Sequence, residues 1–281
     1  MASERNWQTL RSMEVVACMI ISATKREGML KIIGLAGPSA AGKTTLAADI
    51  ATCAKGVETI SVDEFYRPPH ECPRFGLAAL PWPEGGKMPA AFRDRGNADL
   101  NSPASIHWEG VIDAIDATTS AEAIIVEGLL LFADHPGAQE VLCRCDHLAV
   151  LWAEGDDAQA MRALQQRKRT RAHLGKPSYA ARGVSEAAYA IYWQHHVWPR
   201  WAQHGASRVP AGALRIPCLD APSQQRDALI ATGWLADAPY EEQGQRAGLL
   251  LRGTRRVLGV PRAGVRHTRA APIVGVENAD E

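Results

Sequence analysis

The chain of 281 residues is long enough for one α/β domain with extensions, or at most for two domains. Its hydrophobic content of 46% suffices for a core, and 31 basic residues balance 31 acidic ones, which argues against nucleic acid or a membrane surface as a partner. No apolar run is long enough to span a membrane, and six scattered cysteines indicate reduced thiols. We therefore predict a cytoplasmic protein, either a monomer or a homodimer.

The segment from Gly37 to Thr44 has the spacing G-x-x-x-x-G-K-T of a phosphate-binding P-loop. A short apolar segment at 31–36 precedes it, and the apolar residues of 45–54 recur with the period of one helix face. Strand, glycine loop and helix are the context that this motif requires, although a turn of this kind that binds nothing is the alternative. The predicted nucleotide-binding residues of the loop are Gly37, Ser39, Ala40, Ala41, Gly42, Lys43, Thr44 and Thr45.

Two side chains of this loop are predicted to act on the triphosphate and its metal. Lys43 would reach the β- and γ-phosphates, and the Thr44 hydroxyl would hold Mg²⁺. Backbone N–H groups and the start of the helix would surround the phosphate. The predicted cofactors are therefore ATP and Mg²⁺.

Beyond the P-loop, apolar strand-like segments alternate with amphipathic ones, as expected of a parallel sheet with helices on both faces. The predicted strands are 31–36, 57–62, 123–126, 147–152 and 214–219. The predicted helices are 45–54, one opening at Ser102 and Pro103, about 156–173, and about 185–204. A loop rich in Pro and Gly covers 70–100. The predicted fold class is α/β, a three-layer P-loop NTPase of the nucleoside- or nucleotide-kinase type with a parallel sheet and a helical lid.

Three segments follow from this pattern. Residues 29–236 are predicted to form the kinase domain, with a lid at about 167–190. Residues 1–28 would be an N-terminal extension, and residues 237–281 a basic C-terminal extension without regular structure. The arginines of the latter have no interleaved aromatic residues, which favours a solvated tail over a nucleic-acid-binding one.

Acidic residues follow three of the predicted strands, where open α/β sheets bind their ligands, and Asp220 is the one that follows the fifth strand. Asp63 follows the second strand and is the candidate base for the proton of an acceptor hydroxyl. Glu127 ends the third strand, where it could orient the Mg²⁺ shell, so the predicted metal set is Thr44, Asp63 and Glu127. The alternative for each carboxylate is a helix cap or a loop position.

A basic cluster ends the helix predicted at about 156–173. Arg167 and Arg171 are four residues apart and share a helix face, where two like charges favour an anion between them. We predict that both close on the triphosphate as catalytic lid residues. The alternative is a solvated helix end, which the helix dipole also favours.

Several motifs together resemble the nicotinamide riboside kinases, within the uridine kinase and phosphoribulokinase group. Besides the P-loop these are Asp-Glu-Phe-Tyr-Arg-Pro from Asp63, Ser-Pro-Ala-Ser-Ile from Ser102, Glu-Gly-Leu-Leu-Leu-Phe from Glu127, Tyr-Trp with His-Val-Trp-Pro from Tyr192, and Leu219-Asp220. The resemblance spans about residues 31 to 222. It implies ATP- and Mg²⁺-dependent phosphorylation of the ribose 5′-hydroxyl of nicotinamide riboside, a step of NAD salvage, with Asp63 as base and lid arginines at 167 and 171.

The resemblance also implies an acceptor site of Asp63, Tyr66, Asn101 and Lys168. Here the chain departs from the family, which has Asp where Asn101 stands and Arg where Lys168 stands. Two further family aspartates are replaced by His107 and Gln194. Asn101 can donate or accept hydrogen bonds to a diol, and the nearby Asp99 is an alternative ligand. Uridine, cytidine or another small alcohol therefore remains an alternative acceptor, and a nucleotide-binding regulator without efficient transfer is a further alternative.

Overall fold

A computed structural model describes residues 30–93, 97–172 and 177–235 of the chain. The predicted extensions 1–28 and 237–281 lie outside the described residues, as do residues 173–176 of the predicted lid. The domain bounds predicted from the sequence therefore stay a prediction.

Five strands form one sheet in the order β2-β3-β1-β4-β5, and every neighbouring pair is parallel. The strands are β1 (Lys31–Ala36), β2 (Val57–Ser61), β3 (Ala123–Gly128), β4 (His147–Trp152) and β5 (Leu214–Pro217). Nine α-helices of the described residues connect and cover them: α1 (Lys43–Cys53), α2 (Pro83–Gly86), α3 (Ala90–Arg93), α4 (Trp108–Ala117), α5 (Pro136–Arg144), α6 (Ala158–Thr170), α7 (Glu186–Tyr192), α8 (Trp198–His204) and α9 (Pro222–Ile230). The predicted three-layer α/β fold is confirmed.

Burial explains why the central strands are apolar throughout. All six residues of β3 are buried, and β1 is buried from Ile32 to Ala36, because helices cover both faces of a parallel sheet. The helix α1 buries Leu46, Ala47 and Ile50 on one face, as the sequence period predicts. The sheet thereby fixes the ends of β1, β2 and β3, from which the P-loop and the two acidic residues emerge.

Two predicted helices have different bounds in the structure. Ser102 begins only a single 3-10 turn, Pro103–Ser105, and the α-helix starts at Trp108. His107 is its N-cap, because the Nδ1 atom of its ring accepts the Gly110 N–H at 3.1 Å. The helix predicted at about 185–204 contains a π-helical turn at Trp193–Val197. Such turns insert one residue and are frequent at functional sites.

Other segments were not foreseen from the sequence. The helices α5 and α9 each begin with a proline at the first position, a signal that fits the helix start. The predicted loop at 70–100 includes the short helices α2 and α3.

Cys53, Cys72, Cys145 and Cys218 are free thiols as expected, whereas Cys143 is disulfide-bonded, so the expectation is wrong for that residue. No helix in the described part of the chain is long and apolar enough to cross a membrane.

The centre of β1 supplies the first test, because Ile33 is fully buried there. Replacing it with alanine removes apolar contacts and leaves a cavity, so we expect Ile33→Ala to lower the free energy of unfolding by about 2 to 5 kcal/mol. Urea denaturation measures this change. Ile112→Ala is the matched control, because Ile112 is only partly buried on α4, and we expect a smaller loss there. Equal losses at both positions would contradict this description of the core.

Candidate active site

The P-loop backbone has an unusual sequence of conformations. Gly37 and Gly42 have φ angles of 153° and 107°, and Ala40 has a φ of 66°. A β-carbon on Gly37 would lie 2.9 Å from the β-carbon of Leu151, so this position admits glycine alone. Ala40 is the non-glycine residue with a positive φ in the described part of the chain, and such strain tends to persist where the surrounding structure and function require it. Left-handed residues of this kind turn successive N–H groups toward one point, where an anion binds.

Lys43 begins α1 and folds back over this loop. Its side chain is buried, and its Nζ donates a hydrogen bond to the Pro38 carbonyl oxygen at 3.1 Å. The ammonium group is therefore held close to the phosphate-binding backbone. An ammonium group in this position can bind a phosphate adjacent to the one that the loop backbone binds.

Glu127 is a deeply buried acidic group beside the phosphate loop, with 3% of its surface exposed. Its Oε1 accepts hydrogen bonds from the Thr44 hydroxyl at 2.9 Å and from the Ser61 hydroxyl at 2.6 Å. The sheet register explains the second contact, because Ser61 on β2 pairs with Glu127 on β3. Ser61 was not predicted as a site residue, and its place at the end of β2 is the only sequence signal for it.

The protonation of Glu127 is governed by competing effects. Burial raises its pKa above the usual value, and the neighbouring Asp63 carboxylate raises the pKa further. The Lys43 ammonium and the hydrogen bonds from Ser61 and Thr44 act in the opposite direction, and burial is the largest of these effects. A cation placed beside the two carboxylates would remove the repulsion between them.

Asp63 lies on the 3-10 turn Val62–Phe65, directly after β2, and is partly exposed. Its charge raises the pKa of Glu127, so the two carboxylates repel each other electrostatically. Of the predicted metal set, Thr44 and Glu127 are joined by a hydrogen bond, and Asp63 interacts with Glu127 through its charge. Among the described residues no three His, Cys, Asp or Glu side chains cluster as a metal site. This is compatible with Mg²⁺ in a P-loop, where a hydroxyl, phosphate oxygens and water supply most ligands.

Thr44 is suited to such an ion by its hydrogen bonding. A hydroxyl that donates its proton to Glu127 keeps its lone pairs for a cation. The residues present at this site therefore fit Mg²⁺, with Thr44 as a direct ligand and the two carboxylates beside it.

The two predicted lid arginines both contact the P-loop region. Arg167 donates from Nη1 to the Ala40 carbonyl oxygen at 3.2 Å, and Arg171 donates from Nη2 to the Thr45 hydroxyl at 3.3 Å. Both side chains come from the C-terminal end of α6 and its cap, and both residues are exposed. Lys168 lies between them in sequence and is half-buried. The end of α6 therefore positions two positively charged side chains next to the phosphate loop.

The segment after Asp63 is paired with the segment that carries Asn101. The His107 N–H donates to the Phe65 carbonyl at 2.8 Å, and the Arg67 N–H donates to the Ser105 carbonyl at 2.8 Å. Tyr66 forms an isolated antiparallel bridge with Ile106 between these two hydrogen bonds. The predicted acceptor residue Tyr66 is therefore paired with residues 105–107, whereas the hydrogen bonds of Asn101 go to Asp99 and His196.

Asp99 has a structural role that the sequence did not indicate. Its carboxylate is 1% exposed and accepts from the Asn101 N–H at 3.0 Å and from Arg200 Nη2 at 2.6 Å. Its Oδ1 also lies 3.4 Å from Nε2 of His196. These contacts occupy both oxygens, so the suggestion that Asp99 itself replaces the family aspartate as a ligand of the ribose is not supported.

Two residues of this cluster were missed by the sequence analysis. His196 lies in the π-helical turn and is buried, and Arg200 follows on α8. Their distance in sequence from Asp99 and Asn101 is about a hundred residues, which no local pattern can bridge. Of the two other departures from the family, His107 caps α4, and Gln194 is an exposed residue of the π-helical turn.

Comparisons with known proteins add little beyond the overall architecture. No family model matches the chain. No curated protein matches it either. Similar solved structures include a proposed fructose transport system kinase from Silicibacter sp. TM1040, at 16% identity and a TM-score of 0.44, which covers 73% of this chain and 98% of the other. A gluconokinase from Sinorhizobium meliloti 1021 matches at 14% identity and a TM-score of 0.42, covering 74% and 92% of the two chains. A shikimate kinase from Bacteroides thetaiotaomicron matches at 15% identity and a TM-score of 0.41, covering 74% and 99%.

The raised pKa of Glu127 leads to a stability prediction. The folded state holds this proton more tightly than the unfolded state, whose glutamate pKa is about 4.3. Above that pH the folded protein binds more protons, so the free energy of unfolding falls as the pH rises toward the raised folded pKa. We measure the free energy of unfolding by urea denaturation without nucleotide and subtract the value of Glu127→Gln from that of wild type. We expect this difference to fall as the pH rises over this range and then to level off.

The control for this measurement is Glu64→Gln, which removes an exposed carboxylate on the neighbouring turn. Its difference from wild type should not show the same fall. A Glu127→Gln difference that is flat or that rises with pH would contradict the described environment of Glu127.

Proposed function

We propose that this protein is an ATP- and Mg²⁺-dependent kinase that transfers the γ-phosphoryl group to a hydroxyl of a small molecule. The observation that carries the proposal is the arrangement at one loop of Lys43, the two arginines of α6 and the Thr44–Glu127 pair. Positive charge surrounds the phosphate position, and a carboxylate pair lies beside it. Phosphoryl transfer depends on positioning and on charge of this kind rather than on covalent chemistry by the protein.

Thr44 would hold the Mg²⁺ directly, with Glu127 and Asp63 orienting its water shell. The ion, when bound, neutralises charge on the β- and γ-phosphate oxygens. Ser61 keeps Glu127 in place through its short hydrogen bond to Oε1. The P-loop backbone and Lys43 bind the triphosphate.

Asp63 is the proposed base. It leaves the end of β2 beside Glu127 and is partly exposed, so an acceptor hydroxyl can reach it. The carboxylate accepts the hydroxyl proton while the hydroxyl oxygen attacks the γ-phosphorus and the bond to the ADP oxygen breaks. Arg167 and Arg171 stabilise the charge on the phosphoryl oxygens during this transfer.

The acceptor that we propose is nicotinamide riboside, phosphorylated at its 5′-hydroxyl to nicotinamide mononucleotide. The resemblance of the motifs to nicotinamide riboside kinases supports it, together with the pairing of Tyr66, which follows the Asp63 turn, with Ile106. Lys168 on α6 would complete the acceptor site from the lid. Uridine and cytidine are the acceptors to be compared with it, since each offers the same ribose 5′-hydroxyl.

The role of Asp63 is tested by Asp63→Asn, which keeps the shape of the side chain but removes the base. We expect turnover with nicotinamide riboside to fall by at least about a hundredfold, as is typical for loss of a general base, while MgATP binding is largely kept. Coupled assay of ADP release and calorimetry of MgATP measure the two effects. Asp113→Asn, an exposed carboxylate on α4, is the control. Unchanged turnover in Asp63→Asn would refute the assignment.

The two lid arginines supply a separate test. Arg167→Ala and Arg171→Ala should each lower kcat on the order of a hundredfold. Each substitution removes a positive side chain that would stabilise negative charge on the phosphoryl group during transfer. Arg162→Ala is the matched control, since Arg162 is an exposed arginine on the same helix and should keep wild-type kcat. Loss of thermal stability without loss of kcat in the two lid variants would assign these arginines a structural role only.

A further inference from the structure

A groove lies between the helices α6 and α7, and its lining includes none of the residues assigned to catalysis above. Its volume is about 780 Å³, which is in the range of sites for small molecules. Alanine and glutamine side chains make up most of the lining: Ala163, Gln165 and Gln166 of α6, and Ala187, Ala190 and Gln194 of α7 and the π-helical turn after it. The small alanines leave room for a ligand close to both helix backbones.

Gln165 is the buried polar residue of this groove, with 7% of its surface exposed. Its Oε1 atom is buried and has no hydrogen-bond partner, and its amide forms no hydrogen bond with any residue that the structure describes. Native proteins leave few buried polar groups in this condition, because each unmade hydrogen bond is unfavourable. A ligand in the groove can supply the partners that the protein does not.

The chemistry of the Gln165 amide limits which ligand can do so. Its oxygen accepts hydrogen bonds, and the adjacent NH₂ group donates them. A carboxamide has the same two groups side by side, so the two amides can form a pair of hydrogen bonds in which each donates once and accepts once. A ketone has no donor for this pair. The last torsion of a glutamine side chain is broad, so the amide plane can turn its oxygen toward the groove at low cost.

The charges beside the groove do not favour a charged ligand. Arg162 and Glu186 complete the lining, but both are exposed and their charges are of opposite sign. Exposed charges add little to binding, because water and salt screen them. An ionised ligand would lose hydration next to the buried amide of Gln165. The group that fits this amide is therefore uncharged.

We propose that the groove between α6 and α7 binds an uncharged small molecule through a carboxamide group, which pairs with the side-chain amide of Gln165. A ring attached to the carboxamide would lie against the alanines of the two helices. The existence of this site does not depend on the proposed kinase function.

The position of the groove links it to the phosphate loop. Gln165 is two residues before Arg167, whose side chain contacts the Ala40 carbonyl oxygen. The same helix is joined to the start of α7, because Arg169 donates from Nε to the Val184 carbonyl oxygen at 3.4 Å. A ligand between the two helices would favour the arrangement in which Arg167 lies at the loop. We therefore expect an occupied groove to strengthen MgATP binding about fivefold, and this second step rests on the proposed function.

Benzamide is the probe for the first step, and NMR titration of the wild-type protein measures its binding. We expect a Kd on the order of 1 mM, as is usual for a ligand of this size. Acetophenone has nearly the same shape but lacks the N–H donors, and benzoate is charged. Both should bind at least about tenfold more weakly. Equal affinity for acetophenone, or no saturable binding of benzamide, would overturn the inference.

The variant Gln165→Leu locates the bound benzamide, because it removes the amide and keeps the size of the side chain. We expect benzamide affinity to fall at least about tenfold, while the thermal unfolding midpoint is kept or rises because an unpaired buried amide is lost. Gln159→Leu is the matched control, an exposed glutamine of the same helix outside the groove. Ala187→Leu fills the groove from an exposed position and should also weaken binding. Unchanged benzamide affinity in Gln165→Leu or Ala187→Leu would overturn the inference.

Calorimetry of MgATP with and without saturating benzamide tests the second step. We expect the strengthening in wild type and in Gln159→Leu, and none in Gln165→Leu. An MgATP affinity that benzamide leaves unchanged in wild type would overturn the link to the phosphate loop. Absence of any MgATP binding would refute the kinase proposal instead, and the benzamide titrations would still decide whether the groove is a carboxamide site.

Discussion

A buried carboxylate at the end of the central sheet connects most of the candidate site. Glu127 accepts hydrogen bonds from Thr44 after β1 and from Ser61 on β2, and it lies within electrostatic reach of Lys43 and Asp63. Burying an ionised carboxylate is costly unless opposite charge and hydrogen bonds compensate for it. The hydroxyls and the ammonium supply part of this compensation, and a divalent cation would supply more. The site is thus electrostatically suited to a metal–triphosphate complex.

The two sides of the site are built by different physical means. The phosphate side depends on backbone conformation, since its left-handed residues and the close approach of Gly37 to β4 fix the loop before any ligand arrives. The proposed acceptor side contains a side-chain network, in which Asp99 contacts Asn101, His196 and Arg200. Preorganised donors of this kind are most effective in catalysis because they need no rearrangement during the reaction. Substrate identity can change on the acceptor side without any change in the phosphate loop.

The sequence predicts the parallel sheet, the P-loop and the acidic strand ends because each of them has a local hydrophobic periodicity or a local sequence motif. It places Asp63 and Glu127 at the correct edge, since parallel strands end together. It does not predict the helix start at Trp108, because Ser102 and Pro103 favour a helix start that the chain uses for only one 3-10 turn. It also misses Ser61, His196 and Arg200. Their roles arise from sheet register and from tertiary contacts distant in sequence, which periodicity does not encode.

Transfer of the γ-phosphoryl group of ATP to a primary hydroxyl is tested most directly by ³¹P NMR of wild-type protein with MgATP and nicotinamide riboside. We predict a new phosphomonoester resonance, split into a triplet by the two 5′ protons of the ribose, which grows as the γ-phosphate resonance of ATP disappears. Uridine and cytidine as acceptors would show whether the riboside is specific. Formation of inorganic phosphate alone, or unchanged ATP with every acceptor although ATP still binds, would contradict the assignment of this protein as a kinase.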